Sequence, residues 1–247
     1  MSLHKALAKT ENIIADNLPE KEGTYDVSGH PNLKVGVFVH YPKAIKQPPS
    51  QTSIPLLVCP VDTNSDAFVP ATGWKLPSSW TYTLNTSSVP SSVGSSNLVT
   101  IANNAFSQWA GAINGEINIS KTSSNTNINR AKLDGRNIVS WGRTQGTALG
   151  VTYIWYNTST GLVTEVDTIM NQKFSWYWNQ ADNKCTDQNS YDAQNILTHE
   201  LGHWMGLDDT YSSAYVNNTM YGYGDKGETK KDTLTTGDIT GVLAIYP

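Results

Sequence analysis

Apolar residues alternate with other residues in several short stretches of the chain, which is the period of a β-strand with one buried face. In the first of these stretches, Leu33, Val35, Val37 and Val39 occupy every second position. Glycine and asparagine turns separate most of the later stretches. The predicted strands cover residues 33–39, 78–84, 117–119, 137–141, 150–156 and 164–170.

Other stretches have the spacing of a helix or the residues that begin one. Val99, Ala102, Phe106 and Trp109 recur near helical spacing, and Asp192 is placed to cap a helix that follows it. The predicted helices cover residues 1–20, 91–109, 193–205 and a terminal segment from residue 236. Strands and helices thus share the chain, as in an α+β protein.

The composition excludes two classes of partner. Lysine and arginine number 17 and aspartate and glutamate 21, so the net charge is −4, whereas nucleic-acid binding requires a basic face. No apolar run in the sequence is long enough to span a membrane. Abundant Ser, Thr and Asn with 15% charged residues favour a secreted protein, which we expect to be monomeric. The first residues lack the apolar core of a signal peptide, so we expect the signal segment to be absent from this sequence.

The residues from His199 to Asp209 form the pattern H-E-x-x-H-x-x-G-x-x-D. Histidines at i and i+4 share one face of a helix, so His199 and His203 can reach one metal ion. Gly206 falls where the helix should end, and the turn that follows can carry Asp209 to the same metal. Three protein ligands leave one position open, which is typical of a catalytic zinc site. Glu200 can act there as general base on a water.

A second candidate for the third ligand lies further along the chain. Glu228 opens an E-x-x-x-D pattern with Asp232, which would suit a thermolysin-like gluzincin. Glycines crowd residues 222–227, so this segment is predicted to be a loop rather than the second helix that such a site needs. The spacing therefore favours Asp209 over Glu228, and also over its neighbour Asp208.

The motif resembles that of the metzincin zinc peptidases, and the surrounding residues are similar to the matrixin branch. Residues 218–221 resemble the Met-turn, with Met220 as its methionine, and residues 234–246 resemble the last matrixin helix. The resemblance covers residues 74–247. It implies an α+β fold with a twisted, mostly parallel mixed sheet, an active-site helix, a Met-turn and a C-terminal helix.

The resemblance also implies a zinc metalloendopeptidase, a hydrolase of class EC 3.4.24, that acts on protein or peptide substrates with one zinc ion. Glu200 would take a proton from zinc-activated water. Tyr223, shortly after Met220, would wall the pocket for the side chain after the scissile bond or would hydrogen-bond the tetrahedral intermediate. The substrate would lie extended along an edge strand, for which residues 150–156 are the candidate.

The sequence departs from vertebrate matrixins in two respects. The third ligand is Asp209 instead of histidine, as in snapalysin-like metzincins, and zinc accepts carboxylate oxygen. No histidine lies between His40 and His199, so we expect the second, structural zinc of vertebrate matrixins to be absent. Calcium stays possible because acidic residues such as Asp134 and Asp167 are available.

Cys59 and Cys185 are the only cysteines of the chain. An even count in a secreted protein allows one disulfide. In matrixins a prodomain cysteine thiolate closes the zinc position of the zymogen, and residues 59–62 resemble that switch, although Val58 replaces its preceding basic residue and its glycine is missing. A disulfide, a zinc switch and two free thiols are therefore three open alternatives.

The chain is predicted to divide after residue 70. A linker at 46–50 and a short apolar run at 54–58 follow the first predicted strand, which indicates an N-terminal extension or pro-segment over 1–70 rather than a second domain. Residues 71–247 form the predicted catalytic domain. The functional alternatives are a gluzincin peptidase that uses Glu228 and a zinc-binding module without turnover, which the intact Glu200 disfavours.

Overall fold

A computed structural model of the 247-residue chain describes residues 12–13, 18–43, 64–178, 187 and 189–247, with the backbone alone at 12–13. The strands in these residues are β1 (Asn12–Ile13), β2 (Gly23–Val27), β3 (Leu33–Pro42), β4 (Ser79–Leu84), β5 (Asn118–Lys121), β6 (Ile138–Gly142), β7 (Gly150–Asn157), β8 (Val163–Asn171), β9 (Trp176–Tyr177), β10 (Tyr191–Asp192) and β11 (Tyr223–Gly224). The α-helices are α1 (Asn97–Ala112), α2 (Ala193–Trp204) and α3 (Thr236–Leu243). Short 3₁₀ turns cover Thr86–Ser88, Ser213–Tyr215 and Lys230–Asp232.

Eight strands form one continuous sheet in the order β1-β2-β3-β7-β8-β6-β4-β5, and β11 adds to β3. On one side, β5, β4, β6 and β8 are parallel. β7 is antiparallel to both β8 and β3, and β3 is antiparallel to β2. β11 is parallel to β3, and β1 is parallel to β2. The architecture confirms the predicted α+β fold with a mostly parallel mixed sheet.

Helices α1 and α2 pack together, and α2 also contacts β7 and β8. Trp109 of α1 is fully buried in the large apolar core that these elements share. Its indole N–H donates to the carbonyl of Thr198 in α2 at 2.9 Å. This contact satisfies the one polar atom of a large buried ring and fixes α2 against its neighbour.

The two faces of β3 contact different parts of the molecule because successive side chains of a strand point to opposite sides. Val35, Val37 and Val39 belong to a second apolar cluster with residues of β2 and β7. Phe38 points to the other side, into the large core beneath α2. His40 follows the same alternation and also points toward α2.

The structure corrects two expectations. The helix predicted over residues 1–20 is wrong at Asn12–Ile13, which form β1 because their backbone pairs with β2; most of that stretch lies outside the described residues. Residues 150–156 do form a strand, but β7 is not an edge, since β3 pairs with it along residues 150–157. Among the described residues, no helix combines the length and apolarity needed to cross a membrane.

Candidate metal centre

Local contacts fix both ends of helix α2, which carries His199 and His203. At its start, the carboxylate of Asp192 accepts the backbone N–H groups of Gln194 and Asn195 at 2.9 and 3.0 Å, as an N-cap does. At its end, Gly206 has φ +94°, and a Cβ there would lie 2.4 Å from the carbonyl oxygen of Trp74. Only glycine suits both the left-handed backbone and this close approach, so the chain turns sharply after the helix.

The turn brings Asp209 back to the two histidines of α2. His199 Nε2 lies 3.2 Å from Asp209 Oδ1, and His203 Nε2 lies 3.7 Å from Asp209 Oδ2. One ligand atom from each of the three residues lies within 4.8 Å of the others. All three side chains are buried. The structure thus brings together the three residues that the spacing of the motif predicts as ligands.

Backbone carbonyls fix the orientation of both imidazole rings. His199 Nδ1 lies 2.7 Å from the carbonyl oxygen of Thr219, and His203 Nδ1 lies 3.0 Å from that of Leu207. Because a carbonyl only accepts, each Nδ1 carries the hydrogen and each Nε2 keeps a lone pair. Burial lowers the pKa of His199 well below its usual value and that of His203 to about 4. Both rings are therefore neutral, as a metal ligand requires.

The unpartnered atoms of this cluster fit a zinc ion. His199 Nε2, His203 Nε2, Asp209 Oδ1 and Glu200 Oε1 are buried and have no hydrogen-bond partner. Buried polar atoms in proteins are nearly always paired, so four such atoms in one place indicate a missing shared partner. Two imidazole nitrogens and one carboxylate oxygen are a donor set that zinc accepts with a fourth position open.

Glu200 lies beside the three candidate ligands and is fully buried. Its Oε2 accepts a hydrogen bond from Thr152 Oγ1 of β7 at 2.5 Å. Burial raises the pKa of Glu200 to about 8, and the hydrogen bond from Thr152 opposes that rise. Gly150 makes room for this side chain, because a Cβ at that position would lie 2.7 Å from Glu200 Oε1.

Met220 packs directly beneath the active-site helix. A Cβ on Gly202, which lies between the two histidines, would come within 2.2 Å of Met220 Sδ. The backbone N–H groups of Thr219 and Met220 both donate to the carboxylate of Asp238 in α3, at 2.9 and 3.2 Å. The terminal helix therefore holds the turn that carries Met220 and also the carbonyl that orients His199.

A model of the Peptidase_M10 family, described as matrixin, matches residues 73–247 of the chain. The chain belongs to the matrixin family. The match spans α1, α2 and α3 and includes His199, Glu200, His203 and Asp209, and it shows a metzincin-type catalytic domain of a zinc metallopeptidase. A search of curated proteins finds no match. The predicted division after residue 70 lies close to the start of the matched region and stays a prediction.

Tyr223 of this matrixin lies on β11, in the segment that follows Met220. Its ring packs against Tyr211 and Tyr221, with centroid distances of 5.3 and 5.6 Å. Its carbonyl accepts a hydrogen bond from the buried Lys231 Nζ at 2.9 Å. The segment lies across from β7, with β3 between them.

Glu228, the alternative third ligand, is engaged away from the histidines. Its Oε2 accepts the backbone N–H of Asp225 at 2.8 Å, and its Oε1 lies 3.2 Å from Lys230 Nζ. In the described part of the chain, two groups of side chains have the spacing to hold a metal, and neither includes Glu228. The geometry thus favours Asp209.

The acidic residues considered for calcium have backbone partners. Asp167 accepts the N–H groups of Lys132 and Ile138 at 2.9 and 3.2 Å. Neither Asp134 nor Asp167 belongs to a metal-capable group of the described residues. Calcium binding therefore stays a prediction without support from this geometry. Cys59 and Cys185 lie outside the described residues, so the three alternatives for them stay open.

Two residues at the centre were not identified from the sequence. Tyr211 Oη lies 3.2 Å from Asp209 Oδ2, so it hydrogen-bonds a candidate ligand. His40 packs its ring edge-on against His199, with centroids 3.9 Å apart, and is fully buried. Tyr211 follows the motif by two positions, so its closeness to Asp209 was predictable from the sequence. His40 lies outside every motif, and only the pairing of β3 with β7 brings it here.

Proposed function

We propose that this matrixin is an endopeptidase in which His199, His203 and Asp209 bind one catalytic zinc and Glu200 is the general base. The convergence of four buried, unpartnered ligand and carboxylate atoms carries this proposal. A site that only stabilised the fold would need no carboxylate beside its ligands. Glu200 supplies that carboxylate, and its orientation is fixed by Thr152.

Zinc in such a site acts as a Lewis acid that activates water and polarises the peptide carbonyl. The side chains and backbone of the protein transfer the proton and hold the metal ligands in position. Glu200 Oε1 accepts the proton of the attacking water and then delivers it to the leaving amine, as a general base and acid. Met220 and the carbonyls of Thr219 and Leu207 keep the two histidines in place during this cycle. The side chains of the three candidate ligands and of Glu200 are all buried, and burial strengthens each of these electrostatic interactions.

Strand β3 lies between β7 and β11, so an extended protein or peptide substrate that pairs with β7 has to take the place of β3. Antiparallel backbone pairing with β7 would hold the chain, and Tyr223 on β11 would wall the pocket for the side chain after the scissile bond. We propose that the enzyme acts outside the cell, in keeping with the composition and with matrixins in general, and that it is a monomer. The fourth metal position and the cleft are the two features that a substrate has to reach.

Zinc content separates the two candidate third ligands. Asp209→Ala is expected to lose bound zinc, whereas Glu228→Ala is expected to keep one zinc per chain. Glu200→Ala is expected to keep zinc and to lose nearly all cleavage of an unfolded protein substrate, because general-base catalysis contributes about 10²–10⁴-fold. The opposite zinc result would establish the gluzincin arrangement. Undiminished cleavage by Glu200→Ala would remove Glu200 from the mechanism.

A further inference from the structure

Lys231 carries a buried ammonium group close to the metal centre. The residue is 0% exposed, although a lysine is almost never fully buried without a counter-ion. Its Nζ donates to the backbone carbonyls of Tyr221 and Tyr223 at 2.6 and 2.9 Å and lies 3.3 Å from His40 Nε2. Burial lowers the pKa of His40 well below its usual value, so all three partners are neutral.

The ammonium thus lacks a close counter-ion. Burial lowers the pKa of Lys231 to about 8, which leaves the group charged at neutral pH. None of the ion pairs among the described residues includes Lys231. A buried charge is costly unless a group of opposite charge or strong hydrogen bonds compensate it. A carboxylate brought to the position of His40 Nε2 would supply the missing charge.

The ring of His40 fills a pocket between β11, α2 and the start of β7. A Cβ built on Gly224 of β11 would lie 3.0 Å from His40 Nε2. The same Cβ would lie 2.8 Å from Ile196 Cδ1 of α2 and 2.9 Å from Leu149 Cδ1, just before β7. Apolar side chains and a glycine therefore line the pocket beside the ring, and Lys231 Nζ is the cation that the ring meets there.

Lys231 also fixes one side of this pocket. Two of its three ammonium hydrogens are directed to the carbonyls of Tyr221 and Tyr223. Its backbone N–H donates to Asn195 Oδ1 of α2 at 2.8 Å. The ammonium is therefore held between the active-site helix and the segment 221–224, and its third hydrogen is directed into the pocket.

A substrate that takes the place of β3 puts one of its side chains into this pocket. His40 pairs with Gly150 of β7, and its ring centroid lies 3.9 Å from that of His199. His40 Nδ1 lies 3.7 Å from Oε1 of Glu200, the proposed base. The pocket thus adjoins both the metal centre and the segment of Tyr223, and it is the one that receives the side chain after the scissile bond in the proposed function.

Glutamate has the length that this pocket requires. Its carboxylate oxygens are as many bonds from Cβ as Nε2 of histidine is, whereas those of aspartate are one bond closer. An oxygen can therefore reach the place of His40 Nε2, at hydrogen-bond distance from Lys231 Nζ. Charge-assisted hydrogen bonds are roughly twice as strong as neutral ones. Leucine would fill the pocket but leave one N–H of the ammonium unpaired, which costs the desolvation energy of that group.

We propose that Lys231 determines the specificity of the peptidase and that the enzyme prefers glutamate directly after the scissile bond, followed by glutamine. This inference rests on the proposed peptidase function, because it names the substrate class of the same site. A purely structural lysine, which only held the carbonyls of Tyr221 and Tyr223, would affect the cleavage of all peptides alike. The ratio of rates between matched peptides therefore separates the two roles.

Peptides that differ only in the residue after the scissile bond measure this ratio. We expect the zinc-loaded full chain to cleave the glutamate peptide with a kcat/KM about tenfold or more above that of the leucine peptide, as a hydrogen bond to a charged group contributes. Glutamine is expected to fall between them, and sequencing of the products identifies the cleaved bond. A fraction of the chain with β3 in place lowers both rates by the same factor, so the ratio does not depend on it.

Lys231→Met removes the cation and keeps an unbranched side chain of similar length. It is expected to favour leucine over glutamate, because a carboxylate in the pocket then has no cation beside it. Lys226→Met, at an exposed lysine of the same loop, is the matched control and is expected to keep the preference of the wild type. Leucine cleaved as fast as glutamate by the wild type, or the same ratio in the wild type and Lys231→Met, would overturn the inference.

Unfolding of the chelated full chain in urea tests the pairing without turnover. His40→Glu puts a carboxylate in the pocket and His40→Gln puts the neutral group of the same shape there, each with and without Lys231→Met. The influence of Glu200 on the new carboxylate is common to both backgrounds and cancels in this double-mutant cycle. We expect the change from amide to carboxylate to favour the folded state by about tenfold or more when the lysine is present than when it is replaced.

The outcomes separate this inference from the function beneath it. Coupling in the cycle without cleavage of any peptide would support the pocket and overturn the proposed peptidase. Zinc-dependent cleavage with no preference for glutamate would leave the peptidase standing and overturn the inference. A cycle without coupling would overturn the pairing with Lys231 even if glutamate were preferred.

Discussion

Thr152 Oγ1 of β7 lies 2.5 Å from Glu200 Oε2 of α2, and this hydrogen bond sets the orientation of the proposed general base. It is the last of a series, in which Trp204 Nε1 donates to Thr168 Oγ1 at 2.9 Å and Thr168 Oγ1 lies 2.7 Å from Thr152 Oγ1. Because a carboxylate only accepts, the hydrogen of Thr152 is directed to Glu200, and that of Thr168 is then directed to Thr152. The series leaves Glu200 Oε1 free for proton transfer.

Replacing Thr152 by valine keeps the shape of the side chain and removes its hydroxyl. Thr152→Val is predicted to lower kcat by about tenfold, a part of what a general base contributes. KM and zinc content are expected to change little. The exposed Thr81→Val on β4 is the control. A loss confined to KM, or a loss of zinc, would contradict a role in orienting the base.

Gly202 is the position of α2 at which a methyl group has no room. Its Cβ would lie 2.2 Å from Met220 Sδ and 2.8 Å from Trp109 Cζ2, both buried. Gly202→Ala is therefore predicted to lower the free energy of unfolding by about 1–3 kcal/mol, as overpacking does. It should also speed the loss of zinc, since Met220 supports the turn that orients His199. Urea unfolding and zinc release to a chelator measure the two effects.

Gly111 of α1 is the matched control for that substitution, because a Cβ there meets nothing within 4 Å. Gly111→Ala is predicted to leave zinc release unchanged and to stabilise the protein by up to about 1 kcal/mol, since alanine favours the helix more than glycine does. Similar destabilisation by both substitutions would mean that helix propensity, and not the contact with Met220, decides the result.

The active-site helix was predictable because its signals are local. The N-cap Asp192, the i and i+4 histidines and the terminating Gly206 lie within fifteen residues and act through backbone geometry that neighbours in sequence determine. The same holds for α3, where Thr235 and Asp238 form a capping box. α1 begins at Asn97, later than the predicted start at residue 91, because residues 90–94 form a turn that its apolar spacing did not reveal.

The contacts across the cleft were not predictable, because they depend on which strands pair. The alternation of Val35, Val37 and Val39 predicts a strand but not its partner, and pairing with β7 decides that His40 faces His199. Thr152 is a residue type common in strands, so nothing in the sequence distinguished it from other threonines. Long-range register therefore sets the parts of the site that the motif leaves out.

Asp238 links the terminal helix to the turn beneath the metal centre. Its carboxylate accepts the backbone N–H groups of Thr219, Met220 and Thr235 and lies 2.6 Å from Thr235 Oγ1. Asp238→Asn replaces one acceptor oxygen by a donor and leaves a buried N–H unpaired, which is predicted to cost about 1–3 kcal/mol of stability.

Zinc loss on dilution into chelator is expected to be faster in Asp238→Asn, because the Thr219 carbonyl that orients His199 becomes less fixed. Thr240→Val, on the exposed side of the same helix, is the control and is expected to keep the zinc release of the wild type. Equal rates in all three proteins would show that the position of His199 does not depend on α3.

Glu165 gives the stability of the fold a pH dependence apart from the metal centre. Burial raises the pKa of Glu165 from 4.5 to about 7, against hydrogen bonds from the backbone N–H groups of Asp134 and Gly135. The folded state then binds the proton more tightly than the unfolded state, so this contribution to stability is complete below pH 4.5 and is lost as the pH rises through about 7.

Glu165→Gln removes the titration of this side chain. Urea unfolding of the wild type and of Glu165→Gln, both treated with chelator, from pH 4.5 to 8 measures its contribution to stability. The wild type is predicted to have the more negative slope, by at most about 1.4 kcal/mol per pH unit for one proton. A more positive slope in the wild type would mean that the two backbone hydrogen bonds outweigh the burial.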